Sequence, residues 1–212
     1  MEKSKRILMM IGYYFLSFTW GFIMSFIGLF VVLGSCLITK TKPKRFGLAY
    51  YNRIGEHWGG AEWGAGFICD KTCSKSTFCH EHGHGLQNII LGPLTPFIVC
   101  IPSAVRYGLF DCDTDKDKIK FLSIFCSLFS LAFFVPMMIG IFTSCLPVII
   151  VFGILFLYAI IFIVWLVFFE APKHKGRLHP NYDSIWFEGD ATRRGTAFME
   201  KYFPEEIYKV NK

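Results

Sequence analysis

Residues 79–93 read Cys-His-Glu-His-Gly-His-Gly-Leu-Gln-Asn-Ile-Ile-Leu-Gly-Pro. Gly92-Pro93 stops a helix, and Ser74 or Ser76 can cap the start of one, so the stretch predicts a short helix over about 77–91. Within it, His80-Glu81-His82-Gly83-His84 fits H-E-x-x-H. On a helix His80 and His84 stand one turn apart on one face, so both imidazoles reach one metal ion. Glu81 is adjacent and reaches a water on that metal as a general base. Two neutral imidazoles plus a carboxylate suit Zn2+, with a fourth position open. Gly83 and Gly85 each cost about 1 kcal/mol relative to Ala inside a helix, which implies close approach of another backbone or a ligand. His82 points away from the pair and reads as a surface or supporting residue. The competing reading is a polar helix with solvated histidines.

Outward from this helix the chain is too apolar for an ordinary soluble domain. Its 212 residues suffice for one domain, yet hydrophobic types make up 53% and charged types 18%, against a usual charged share of about 25%. That composition asks for lipid as part of the solvent. The net charge of +6 collects beside apolar runs, as topology-setting charges do, so a lipid bilayer is the expected partner and nucleic acid is not. The eight cysteines show no disulfide framework. Cys69, Cys73 and Cys79 are too loosely spaced for a second metal site.

The expected architecture is a mainly α membrane protein with about three transmembrane helices and a small α+β metal-site domain. Residues 1–45 read as one signal-anchor helix, because the apolar run Ile7–Ile38 exceeds a cleavable h-region and is too short for two spans. Residues 46–118 hold a short strand within Gly59–Asp70, the H-E-x-x-H helix, and a Pro-broken apolar segment over 93–110 that suits a re-entrant or interfacial path. Residues 119–169 predict a transmembrane hairpin turning near Thr143–Pro147, and 170–212 form a polar C-terminal segment. Three crossings put the N-terminus outside and the metal site with 170–212 on the other side. All Lys and Arg except Lys3, Lys5 and Arg6 fall on that side or at its membrane boundary, which the positive-inside rule makes cytoplasmic.

The strand, polar turn, His80–Asn88 helix and Leu91-Gly-Pro-Leu tail resemble a group of small multi-span bacterial membrane proteins, as does the late Tyr182-x-x-Ile-Trp-x-Glu188-Gly-x-Ala191 stretch. In broader terms the pattern is similar to the gluzincin class of metallopeptidases. The resemblance implies a bacterial cytoplasmic membrane, a gluzincin-like domain with an edge strand, and Glu188 as third zinc ligand. It implies peptide-bond hydrolysis of a peptide or membrane-protein substrate. Gluzincins often carry Asp four residues after the ligand Glu, supporting a zinc His; here that position is Thr192, and the nearest acid, Asp190, falls on another face.

Gly60, Ala61, Glu62, Trp63 and Gly64 are the candidates for pairing with extended substrate, against the plainer reading of a Gly-rich loop. Thr192, Asp190, Tyr182 and His179 are candidates for supporting the ligands or stabilising an oxyanion, with His57 and Arg193 also available. His174, His179 and Asp190 are substitutes for Glu188 as ligand. Two function classes follow. One is a zinc metallopeptidase working at the membrane interface; the other is a non-catalytic zinc-binding membrane adaptor. Intact Glu81 favours the enzyme, because a structural metal site has no use for that carboxylate.

Overall fold

The computed structural model describes residues 3–175, 178–208 and 210, and the chain divides into two units. The first comprises Met1–Pro102 and Tyr182–Lys212, the second Ser103–Asn181. Segments far apart in sequence thus share the first unit.

That unit contains helices α1 (Lys3–Thr19), α2 (Phe22–Thr39), α3 (Lys75–Leu91), α7 (Trp186–Tyr202) and α8 (Pro204–Ile207). It also holds strands β1 (Lys44–Phe46), β2 (Ala49–Arg53), β3 (Gly60–Trp63) and β4 (Gly66–Cys69). The sheet order is β1-β2-β4-β3, with β2 and β4 parallel and the outer pairs antiparallel. Both β1 and β3 are therefore edge strands. One strand was expected over Gly59–Asp70; the stretch is instead a hairpin of β3 and β4, with Gly64 at positive φ in its turn. β1 and β2 were not anticipated. Phe46, Leu48, Ala49, Phe67, Phe78 and Met199 form the core between the sheet and the helices.

Helix α3 begins where Ser74 accepts a hydrogen bond from the Thr77 amide and ends at Gly92, close to the expected limits. After short turns at Gly92–Leu94 and Pro96–Cys100, the chain continues into α4 (Ile101–Phe110). Pro93, Pro96 and Pro102 account for the broken helix there.

The apolar run Ile7–Ile38 is not one helix. It breaks at Trp20-Gly21, where the Asn88 side-chain amide donates to the Gly21 carbonyl (3.2 Å) and Trp20 Nε1 to that of Ile90 (3.3 Å). One face of α1 joins the core through Tyr13, with Met9, Met10 and Tyr14 packed beside it; Leu8, Ile11 and Phe15 stay exposed. Near its start, Arg6 pairs with Glu205 (3.2 Å) and Glu206 (3.4 Å). A hydrocarbon layer of about 30 Å cannot separate such partners. The expected placement of the chain start opposite the C-terminal segment is therefore corrected: Arg6, near the start of α1, lies with Glu205 and Glu206 of that segment.

In the second unit, α5 (Asp115–Phe142) and α6 (Leu146–Trp165) form the expected hairpin, and α6 continues in tighter and wider turns to Lys173. Thr114 caps α5. Phe125, Phe129, Tyr158 and Phe162 interlock between the helices. Among the described residues, three helices are long and apolar enough to cross a membrane: Phe22–Thr39, Asp115–Phe142 and Leu146–Lys173. Arg106, almost fully buried, pairs with buried Glu170 at 2.7 Å, so neither charge is left uncompensated.

The tightest contact in the first unit joins α3 to α7. A Cβ on Gly83 would collide with the Ala191 carbonyl, and one on Gly195 with the Cys79 carbonyl. Backbone stands against backbone at both points. Gly195→Ala is expected to destabilise the protein by about 2 kcal/mol or more, since neither carbonyl nor helix can yield cheaply. A thermal midpoint in detergent equal to that of the unaltered protein would show that the helices do not cross there.

Asp70 fixes the start of β3. Its carboxylate accepts from the amides of Trp58 (3.0 Å), Gly59 (2.8 Å) and Thr72 (2.6 Å) and from the Thr72 hydroxyl (2.6 Å). Burial alone would raise its pKa, but the bonds from Thr72, Gly59 and Trp58 outweigh that and hold the carboxyl well below the usual range. A depressed folded-state pKa gives stability that is complete above about pH 4 and lost as pH falls toward the folded-state value. Asp70→Asn should lower the thermal midpoint near neutrality and flatten its fall below about pH 4; an unaltered acid limb would contradict this assignment.

Candidate metal centre

The α3–α7 crossing brings the three expected ligands together. His80 Nε2 and His84 Nε2 lie 3.1 Å apart, and Glu188 Oε2 lies 3.2 Å from the first and 3.1 Å from the second. All three side chains are largely or wholly out of solvent, Glu188 completely. Ligand bonds of about 2.0–2.2 Å around a tetrahedral ion put ligand atoms about 3.3–3.5 Å apart. The observed triangle is slightly tighter, and its donors, two imidazoles and one carboxylate, are those zinc takes. The residues fit the ion.

Each imidazole engages a partner through its other nitrogen. His84 Nδ1 meets Gln87 Oε1 at 2.9 Å. The Gln87 amide group then donates to the Phe187 carbonyl (2.7 Å) and to Asp190 Oδ2 (3.2 Å). His80 Nδ1 meets Thr192 Oγ1 at 2.7 Å, and the Thr192 hydroxyl donates to Asp183 Oδ1 at 3.1 Å. Position 192 therefore contacts a ligand although it is not an acid. Asp190 does not touch the histidines; it is shared among Gln87, Arg193 and Arg194, which hold its carboxyl below the usual range against the effect of burial.

Glu81 follows the first ligand and is buried. Burial raises its pKa; His80 and His84 pull it down, and Glu188 adds to the rise. The Glu81 carboxyl lies against Gly60, where a Cβ would meet its carbon at 2.8 Å. That contact sets the first residue of edge strand β3 directly beside the candidate base. Ala61 and Trp63 are partly exposed along this edge, while Glu62 turns inward. Glu62 is buried and its pKa is raised well above the usual value, by burial first and by Glu81 second. Its Oε1 has no hydrogen-bond partner. An uncharged Glu62 is the form such surroundings favour.

The remaining candidates divide clearly. Tyr182 donates to Glu188 Oε1 (3.3 Å) and packs edge-on against the His80 ring. Arg193 is engaged by Asp190, and His57 is exposed in a turn at positive φ. His174 and His179 belong to the second unit, where their Nδ1 atoms are 3.1 Å apart and both rings pack on Phe110. The candidate ligand group His80, His84 and Glu188 lies wholly in the first unit. His82 is not a surface residue: it is fully buried, stacks on Phe198, and accepts the Leu48 amide at Nε2 (3.1 Å). Burial pushes its pKa down to about 3, so it is a neutral packing residue. Cys69, Cys73 and Cys79 are free buried thiols.

Sequence reasoning missed Gln87 and Asp183. Gln87 was available in principle, since i and i+3 share a helix face. Asp183 was not, because it lies on a short turn at Tyr182–Ser184, ahead of the helix carrying Thr192.

No family model matches the chain, and neither a curated protein nor a solved structure matches it.

Proposed function

We propose that the protein is an integral-membrane zinc metallopeptidase of gluzincin-like type, acting on extended peptide or membrane-protein segments at the membrane interface. The observation that carries this reading is the meeting of His80, His84 and Glu188, from two helices, with buried Glu81 between that group and an edge strand. A structural metal site needs the first three residues and not the fourth.

His80, His84 and Glu188 would hold the ion. When bound, zinc lowers the pKa of a coordinated water toward neutrality and polarises a carbonyl. The chain's own groups supply the rest. Glu81 is positioned to take a proton during attack on the scissile carbonyl and to return it to the leaving amine. β3 is an edge strand of the sheet among the described residues, so its outer side is where an extended peptide would pair, and Gly60 brings that edge close to the base. Tyr182, whose hydroxyl donates to Glu188 beside His80, would stabilise a developing oxyanion by turning that proton toward it. The three apolar helices keep the protein in the bilayer, and the Lys and Arg of the metal-site unit, Arg6 now among them, favour a cytoplasmic metal site; a bacterial membrane follows from the family resemblance alone.

Zinc content of the detergent-purified chain tests the site. About one zinc per chain is expected for the unaltered protein, a large loss for His84→Ala and Glu188→Ala, and retention for Glu81→Gln. Failure of the unaltered protein to take up zinc would end the metallopeptidase reading. Glu81→Gln should also lower peptide cleavage by about 100-fold or more with zinc retained. Equal cleavage in that variant would leave a zinc-binding adaptor rather than this enzyme.

A further inference from the structure

We infer that Asp183, acting through the Thr192 hydroxyl, is the positioning residue that fixes the His80 ring for metal binding; the inference rests on the metal-site reading above. A histidine that binds metal through one nitrogen is oriented by the partner of the other. If His80 and His84 offer Nε2 to the ion, both neutral rings carry their proton on Nδ1.

The hydrogen bonds then run in one direction only. His80 Nδ1–H donates to Thr192 Oγ1 across 2.7 Å, and the Thr192 hydroxyl spends its single proton on Asp183 Oδ1 across 3.1 Å. With Asp183 Oδ1 as the acceptor at the end of the chain of bonds, the Thr192 hydroxyl has no proton left for His80 Nδ1, so one tautomer of His80 is admitted. His84 is served differently. Its Nδ1–H donates to Gln87 Oε1, and the amide is held in that orientation because its nitrogen faces the Phe187 carbonyl and Asp190. One ligand is thus backed by an anion at the end of a hydroxyl relay, the other by a neutral buried amide.

Asp183 is itself held. Its backbone carbonyl lies against Gly189, where a Cβ would come within 2.6 Å. Its neighbour Tyr182 donates to Glu188 and packs on the His80 ring. The turn Tyr182–Ser184 therefore braces the His80 arm and the carboxylate ligand together. Because Asp183 is exposed, solvent screens its charge, and its effect belongs at the low end of the range for such supporting groups.

The test is zinc affinity of the full chain in detergent, by competition with a chromophoric chelator, with the visible spectrum of the cobalt-substituted protein beside it. Asp183→Ala should weaken zinc binding about tenfold and shift the cobalt bands. Adding Thr192→Asp to that variant should restore most of the affinity, since a carboxylate would then meet His80 Nδ1 directly; a merely structural loss would not be rescued. Should Asp183→Ala not fold, Thr192→Ser and Thr192→Val decide the matter: the first should keep zinc affinity and the second lose it. Unaltered affinity and cobalt spectrum in Asp183→Ala or Thr192→Val would overturn the relay while leaving the metal site standing. No zinc uptake by the unaltered protein would instead remove the reading beneath it.

Discussion

The contact of backbone with backbone where α3 crosses α7 is the constraint on which the candidate site depends. Gly83 and Gly195 leave the helices no side chain to hold them apart. Each contact has a ligand beside it: Gly83 precedes His84, and the Ala191 carbonyl it meets lies three residues after Glu188. A helix interface of ordinary side chains would set the axes about 8–10 Å apart and hold the carboxylate back from the imidazoles. The propensity lost by placing glycine inside two helices is about 1 kcal/mol each, small beside a site that exists only at close approach. The same economy recurs at Gly60, where the lack of a side chain lets β3 lie against Glu81.

Much of this was legible in the sequence because local rules sufficed. The limits of α3 follow from a Ser cap and a Gly-Pro stop, and those of the α5–α6 hairpin from apolar length and the Thr143–Pro147 turn. The i, i+4 pair of histidines needs only helical geometry. Gly83 announced a close neighbour without naming it. What escaped was non-local or weakly patterned. Strands of three to five residues carry too few alternations to stand out, so β1 and β2 were missed although Gly47 marks their turn. At the break at Trp20-Gly21 the side chain of Asn88, some seventy residues away, adds a donor to the Gly21 carbonyl, a partner that no local pattern reveals. His82 looked like a surface residue because it alternates with the ligands; the first unit instead encloses all sides of α3 at that level.

Thr192 shows why a departure from a familiar pattern need not mean decay. A threonine where an acid is expected removes a charge from contact with the ligand, but its hydroxyl both accepts and donates. It can therefore pass the orienting role to an acid beyond it. The acid that receives it, Asp183, comes from the turn preceding α7 rather than from the helix itself. Spacing along a helix cannot reveal such a partner, because the relay closes through the fold.

Electrostatics bears on whether this group of residues is made for a cation. Glu188 is fully buried, Glu81 and Glu62 nearly so, and Glu81 raises the pKa of Glu62 as Glu188 raises that of Glu81. Three carboxyls so close cannot all ionise in a low-dielectric interior, where each uncompensated charge costs several kcal/mol. Burial and then Glu81 raise the pKa of Glu62, whose Oε1 has no partner, and so favour its neutral form. Glu188 lies against two imidazole nitrogens whose lone pairs would repel it if both rings were neutral and no ion lay between them. Without an ion, protonation relieves that repulsion: burial disfavours the charged form of His84, but its hydrogen bond to Glu188 outweighs burial and raises its pKa. A dication among the three candidate ligand atoms would relieve the same repulsion without a proton and would lower the pKa of Glu81 toward the ionised form that a general base requires.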